Sequence, residues 1–294
     1  MKKVEVVLTA IDFEDGSRAV LRRAAHLAST HAARLIVLHV IEDEQLSHAA
    51  HHMKRDESEL RKLLQHEAVT AVEALVAKGE LAQCADVRVE FGRPYEVIKQ
   101  VMVQLCADVV VIGPGKGSTL KDKFLGSIAD RVIRMSSIPV LVARESSVKP
   151  YQNVAVAVDD SPQAASAFAE ARRLVPGATF QLVRAVDIPF TFQQSMLRAG
   201  TTQADMKRYR VALVEKAREK LYAFQQDSLG AAESTIEILN GEPGSALVRF
   251  SKNSHVDLLA LGTHGRGVVL QAFLGSVAQY VLGRAACDVL VTST

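Results

Sequence analysis

Cysteine is scarce in this sequence: Cys84, Cys106 and Cys287 form no Cys-x-x-Cys pair, and three is an odd number. That excludes a disulfide framework and a cysteine-ligated zinc module, and it fits a reducing compartment. Cys287, inside Ala286-Cys287-Asp288-Val289-Leu290-Val291, reads as a small buried hydrophobe. An excess of basic residues is missing as well. Through Ser147, 20 Lys and Arg balance 20 Asp and Glu, and beyond it 15 face 13. A nucleic-acid surface needs a concentration of positive charge to neutralise phosphates. Only Arg208, Arg210, Lys216, Arg218 and Lys220 cluster, and Glu215 and Glu219 interrupt them as on a solvated helix face. No apolar run approaches the ~20 residues of a membrane span. The opening Met1-Lys2-Lys3-Val4-Glu5 leads into an apolar run too short and too soon charged for a signal peptide. The expectation is a cytoplasmic protein with neither nucleic acid nor membrane as partner.

What is present is a globular composition, 48% hydrophobic and 23% charged over 294 residues, without low-complexity stretches. That length suits two domains of about 150 residues. An internal repeat agrees. Laying Gly275-Ser276 over Gly126-Ser127 aligns Gly92-Arg93-Pro94 with Gly241-Glu242-Pro243, Asp108 with Asp257, Gly113 with Gly262, and Phe124-Leu125 with Phe273-Leu274. Near the start of each half, Ala10-Ile11-Asp12 falls on Ala157-Val158-Asp159 and Leu27 on Leu174. The halves read as duplicates of one fold, residues 1–146 and 150–294. The polar stretch Ser146-Ser147-Val148-Lys149-Pro150 joins them.

Short apolar runs alternate with longer amphipathic ones, the pattern of a parallel sheet covered by helices on both faces. Strands are predicted at 4–11, 35–41, 87–91, 109–112 and 139–142, then at 154–158, 180–186, 235–239, 258–261 and 289–291. Val20, Leu21, Ala24 and Leu27 share one helical face, as do Leu60, Leu63, Leu64 and Val69. Pro94 and Pro243 stand at helix entrances, where a missing N–H is tolerated.

The stretch with chemical content follows the fourth strand of the second repeat: Gly262-Thr263-His264-Gly265-Arg266-Gly267, then Gly275-Ser276-Val277 at the head of a helix. Glycine lets a backbone turn sharply and approach a ligand. A helix N-terminus adds unpaired N–H groups and the positive end of its dipole, which favour phosphate. In doubly wound sheets the ligand lies at the carboxyl ends of the strands. Asp159 sits there after the first strand, suited to accept from ribose hydroxyls or, alternatively, to cap the helix that starts near Pro162. Asp160 and Ser161 offer themselves as caps instead, which would leave Asp159 free. His264 and Arg266 lie inside the loop, facing either phosphates or solvent.

The spacing Gly-x2-Gly-x9-Gly-Ser, with Asp after the first strand, resembles the nucleotide-binding motif of ATP-binding universal stress proteins, and the likeness covers both repeats. It implies two tandem doubly wound α/β domains of the adenine nucleotide α-hydrolase-like type, each a five-stranded parallel sheet in the order 3-2-1-4-5. It also implies a dimer-like pairing of the repeats through their last strands. By that resemblance Ala157 and Asp159 line the adenosine end, Ala185 lies against adenine, and Leu261 and Gly262 touch base and ribose. Gly265, Gly275, Ser276 and Val277 hold the phosphates, with Arg266 near them. The implied ligand is ATP, ADP or cAMP, with Mg²⁺ as a companion of the phosphates. The implied role is stress response or signalling through a protein partner. A pseudo-dimer within one chain and a further homodimer both remain open.

The first repeat departs from the motif, because Gly113-Pro114-Gly115-Lys116-Gly117 places Lys116 where Gly265 stands. Pro114 removes an N–H, so weak or absent nucleotide binding is expected there. The string is not a Walker A loop, since its Lys is followed by Gly and not by Ser or Thr. Neither Ser276 nor Asp159 has an evident catalytic partner, which leaves slow ATP hydrolysis as the most that is expected. An ATP-consuming enzyme of the related α-hydrolase type would want a Ser-Gly-Gly-like loop after the first strand; Asp159-Asp160-Ser161-Pro162 and Asp12-Phe13-Glu14-Asp15 stand there. A nucleotide-free interaction scaffold is the other alternative. His48, His51, His52 and His66 read as an exposed polar loop before a helix, not as a zinc site. His39 reads as a packed or hydrogen-bonded strand residue. The segment 187–196 reads as a long loop whose Phe190, Phe192 and Met196 either form a lid beside adenine or pack against the other repeat, with packing favoured because exposed aromatics are costly.

Overall fold

The computed structural model describes residues 2–14, 16–78, 85–115, 125–144, 149–229, 234–263 and 274–293. The chain divides into two compact units, Met1–Pro150 with Leu290–Ser293, and Tyr151–Val289. In the first repeat the order is β1 (Val6–Ile11), α1 (Ser17–His31), β2 (Arg34–Ile41), α2 (Asp43–Met53), α3 (Glu57–Lys78), β3 (Ala85–Phe91), α4 (Pro94–Gln104), β4 (Val109–Ile112), α5 (Ser127–Met135) and β5 (Val140–Val142). All these strands pair in parallel, in the order β3-β2-β1-β4-β5. The second repeat repeats the scheme: β6 (Asn153–Ala157), α6 (Pro162–Leu174), β7 (Thr179–Val186), α7 (Phe190–Arg198), α8 (Gln203–Leu229), β8 (Ser234–Asn240), α9 (Pro243–Asn253), β9 (Leu258–Gly262), α10 (Ser276–Arg284) and β10 (Asp288–Thr292). Its order is β8-β7-β6-β9-β10. Each repeat is thus the doubly wound α/β fold expected, with the strand order 3-2-1-4-5.

The central strands are continuous apolar runs because helices bury both faces, as parallel sheets require. Val7, Leu8, Val109 and Val110 are completely buried in the first repeat, and Val156, Leu259 and Ala260 in the second. At the amino edge of each sheet one carboxylate ties two strands together. Asp108 accepts from the N–H groups of Glu5 (2.8 Å) and Val6 (3.1 Å). Asp257 accepts from those of Gln152 and Asn153, both at 2.8 Å. Pro94, Pro162 and Pro243 open α4, α6 and α9. Glu242 caps α9 by accepting from the N–H groups of Gly244 (3.0 Å) and Ser245 (2.8 Å).

Three expectations change. Leu63 is 45% exposed, and the buried stripe of α3 runs instead through Leu60, Ala68, Val72 and Val76. The correct phase is set by i+4 steps that keep small and β-branched residues against the sheet. His48, His51 and His52 stand on α2 and not in a loop, with the Nε2 atoms of His48 and His52 3.1 Å apart across one helical turn. The segment after β7 is likewise helical: Phe190, Phe192 and Met196 belong to α7, where Phe190 is 73% exposed and Phe192 tilts against Tyr209.

Candidate functional site

The carboxyl ends of β6 and β9 meet. Val156 stands opposite Ala260 in the parallel register, so two residues on Val158 is level with Gly262, and Asp159 with Thr263. The first turn of α6 seals this junction. A Cβ on Gly262 would stand 2.5 Å from the Cβ of Gln163, so only glycine fits. Beyond it the chain runs through 264–273, which includes the expected ligand contacts Gly265 and Arg266; these lie outside the described residues. The base of that segment is closed by the N–H of Gly275 donating to the carbonyl of Thr263 at 2.7 Å. The first repeat has the same closure, Gly126 N–H to the Pro114 carbonyl at 2.8 Å. Pro114 therefore contributes through its C=O, which its ring leaves untouched.

Helix α10 begins at once. Its first intrahelical bond runs from the N–H of Gln279 to the carbonyl of Gly275 (2.9 Å), so the amides of Ser276, Val277 and Ala278 precede the ladder. Ser276 is exposed and Val277 half-buried. These amides and the helix dipole form a place for negative charge. Gly275 is different: its N–H is engaged with Thr263, and its part is to bring α10 to the end of β9.

The loop after β6 differs from the expectation. Asp159 is not left free by its neighbours; its Oδ1 accepts from the Ser161 N–H at 3.0 Å and also from the Ser161 hydroxyl. A carboxylate folding back on the amide two residues ahead is a favoured local turn, which outcompetes the cap. Asp160 instead accepts from Arg184 at 2.7 Å and from Lys220 at 2.5 Å. Burial pushes the Arg184 guanidinium's pKa down, and the charge of Asp159 opposes the shift. These groups line a cleft of about 300 Å³ with Phe224 and Asp227.

Of the expected adenosine contacts, Asp159 lines the cleft. Ala185 follows Arg184 on β7, and alternation along a strand points the two to opposite faces. Leu261 is buried in β9, while Ala157 is half-buried at the end of β6. Sequence reasoning missed Arg184, Lys220, Phe224 and Asp227. A signal existed on α8, where Lys220, Phe224 and Asp227 recur at helical spacing beside the buried Ala217 and Leu221. Lys220 thus leaves the solvated charge run to which it was assigned. Among the described residues no group of three or more His, Cys, Asp or Glu is placed to hold a metal ion, and no helix is long and apolar enough to cross a membrane.

Duplicated 3-2-1-4-5 sheets, each with a glycine closure delivering a helix N-terminus to the fourth strand, define a class of tandem doubly wound α/β proteins. The chain belongs to the universal stress protein family, which matches residues 3–144 and again 150–293. Universal stress protein G of Salmonella typhimurium is 30% identical over 144 residues, 49% of this chain and 99% of its own length. A universal stress protein of Mycobacterium tuberculosis is 27% identical over 241 residues, 78% of this chain and 72% of its own. The crystal structure of a universal stress protein from Archaeoglobus fulgidus superposes with a TM-score of 0.69 at 20% identity, covering 99% of both chains. That last likeness supports the fold.

Proposed function

We propose that the chain is an adenine-nucleotide-binding stress-response or signalling protein with one site, in the second repeat, whose ligand alters conformation or partner choice. The observation that carries this reading is the set of amides at Ser276, Val277 and Ala278, which stand ahead of the first bond of α10. They suit an anion, and Asp159 at the neighbouring strand end suits the sugar that carries it. The site comprises Ala157, Asp159, Ala185, Leu261, Gly262 and Val277 around the nucleoside and first phosphate. Gly265, Arg266 and Ser276 complete it around the phosphates, and Gly275 shapes it. Of these residues, Asp159 also lines the cleft of about 300 Å³ that faces α8. Mg²⁺ enters this reading only with the phosphates of ATP or ADP.

Rapid hydrolysis is not part of it. A general base must reach the water it activates, and in this reading the carboxylate of Asp159 serves the ribose hydroxyls. The test is thermal unfolding with ATP, ADP or cAMP. A ligand at a hundred times its Kd stabilises the folded state by about 2.7 kcal/mol, so at least one of the three should raise Tm. If none does at millimolar concentration, the glycine closures serve only the fold and the protein is an interaction scaffold. Multiple rapid turnovers of ATP would instead make it an enzyme.

A further inference from the structure

The two repeats differ in chemistry at one equivalent place. In the second, Asp160 and Arg184 form an ion pair at the mouth of the cleft. In the first, the matching positions are Phe13 and His39: Ile11 corresponds to Val158, and His39 faces Ile11 in the β1–β2 register as Arg184 follows Val183 in β7. The rings of Phe13 and His39 touch at a tilt of 49°, with centroids 4.3 Å apart. Behind them, between the end of β2 and helices α2 and α3, lies a cleft of about 530 Å³. Its walls are Ile41, Leu46, Ala49, Leu64 and Ala68, and Gln45 and Glu67 stand at its exposed rim.

Three features point to a ligand. Phe13 has φ +65°, a conformation that bulky side chains rarely adopt and that is enriched at functional sites. Phe13 also stays 39% exposed at the cleft mouth, offering a ring face. The Nδ1 of His39 lies 2.9 Å from the Ile11 carbonyl, which can only accept, so Nδ1 carries the proton. Burial lowers the pKa of His39 against the opposing effects of that carbonyl and of Asp12, so the ring is neutral near pH 7. Nε2 is then a lone-pair acceptor with no partner among the described residues.

We propose that the first repeat holds a second small-molecule site, for an uncharged flat aromatic bearing one N–H or O–H donor. The ring fills the aliphatic cleft against Phe13, and the donor is received by Nε2 of His39. A purine nucleotide does not suit it: its several polar edges would be desolvated against aliphatic walls that supply few partners. Nor, among the described residues, does a cationic side chain line the cleft for phosphates. The assignment is independent of the nucleotide reading.

The absence of tryptophan from the chain makes the test direct, because indole is then the only indole fluorophore in solution. Titration of indole with the full-length protein should give a saturable blue shift, one per chain. N-methylindole, which lacks the donor, should bind about three- to tenfold more weakly, the range of a single net hydrogen bond. His39→Leu should remove that discrimination. Ala71→Phe, at an exposed position lining the cleft, should abolish binding without touching the core; equal circular-dichroism melts confirm that both variants fold. Excess ATP should leave indole bound. The proposal is overturned if indole does not saturate, if N-methylindole binds equally well, if Ala71→Phe binds normally, or if ATP displaces indole.

Discussion

At the scale of single residues, the two sheets are held at their amino edges by Asp108 and Asp257, whose carboxylates satisfy pairs of backbone amides. Burial raises the pKa of Asp108, but the Glu5 amide, the Lys2 ammonium and the Val6 amide more than offset it, and the net shift is downward. A depressed folded pKa contributes stability above the unfolded carboxylate value of about 3.9, and that contribution is lost as pH falls through the lower folded value. Asp108→Ala should therefore lose about 1–3 kcal/mol at pH 7, the penalty for stranding buried amides. The gap between variant and wild type in urea melts should narrow as pH falls below about 4. Gly262 is a second such point, since a methyl there would press on Gln163 at 2.5 Å. Gly262→Ala should destabilise by about 1–3 kcal/mol, as overpacking does, and weaken nucleotide binding in the same preparation, checked by denaturation and calorimetry. The aspartates could be matched across the repeat from sequence. Their role could not, because it depends on which strands lie adjacent.

At the scale of elements, prolines and glycines located the helix starts well: Pro94, Pro162 and Pro243 each begin a helix, and Gly275 stands just before the one that starts at Ser276. The reason is local, since a fixed φ or a missing Cβ constrains the chain whatever surrounds it. Amphipathic phase was harder to read. Leu63 fits the apolar spacing of α3 but points to solvent, because the sheet beneath selects the stripe through Ala68 and Val72. The segment 190–198 carries no strong helix signal, yet forms α7. For α10 the helix terminus itself can be tested apart from folding. Ser276→Asp puts a negative charge where the dipole favours one, worth about 0.3–1 kcal/mol of stability. The same charge should repel phosphate. Tm without ligand should hold or rise slightly, while the ATP-induced rise disappears; a variant that keeps the full shift would remove α10 from the site.

At the scale of the whole molecule, one fold written twice has kept its frame and changed its chemistry. The strand order, the aspartate ties and the glycine closures recur in both repeats. The sequence could show this because the repeat aligns backbone-determining residues in register over long stretches. It showed less of what lines each cleft, since Arg184, Lys220 and Phe224 come together only through the packing of α8 near β7. The divergence predicts a stoichiometry. In the first repeat, Pro114 replaces Thr263, the cleft walls are aliphatic, and Phe13 with His39 occupies the place of the Asp160–Arg184 ion pair. Calorimetric titration should accordingly find one ATP per chain. Asp159→Ala should weaken that binding by about tenfold, the loss of one charge-assisted hydrogen bond to a ribose hydroxyl, whereas Asp12→Ala should leave it unchanged. Two equivalent ATP molecules per chain, or equal losses from both substitutions, would show that the two repeats have kept the same ligand chemistry.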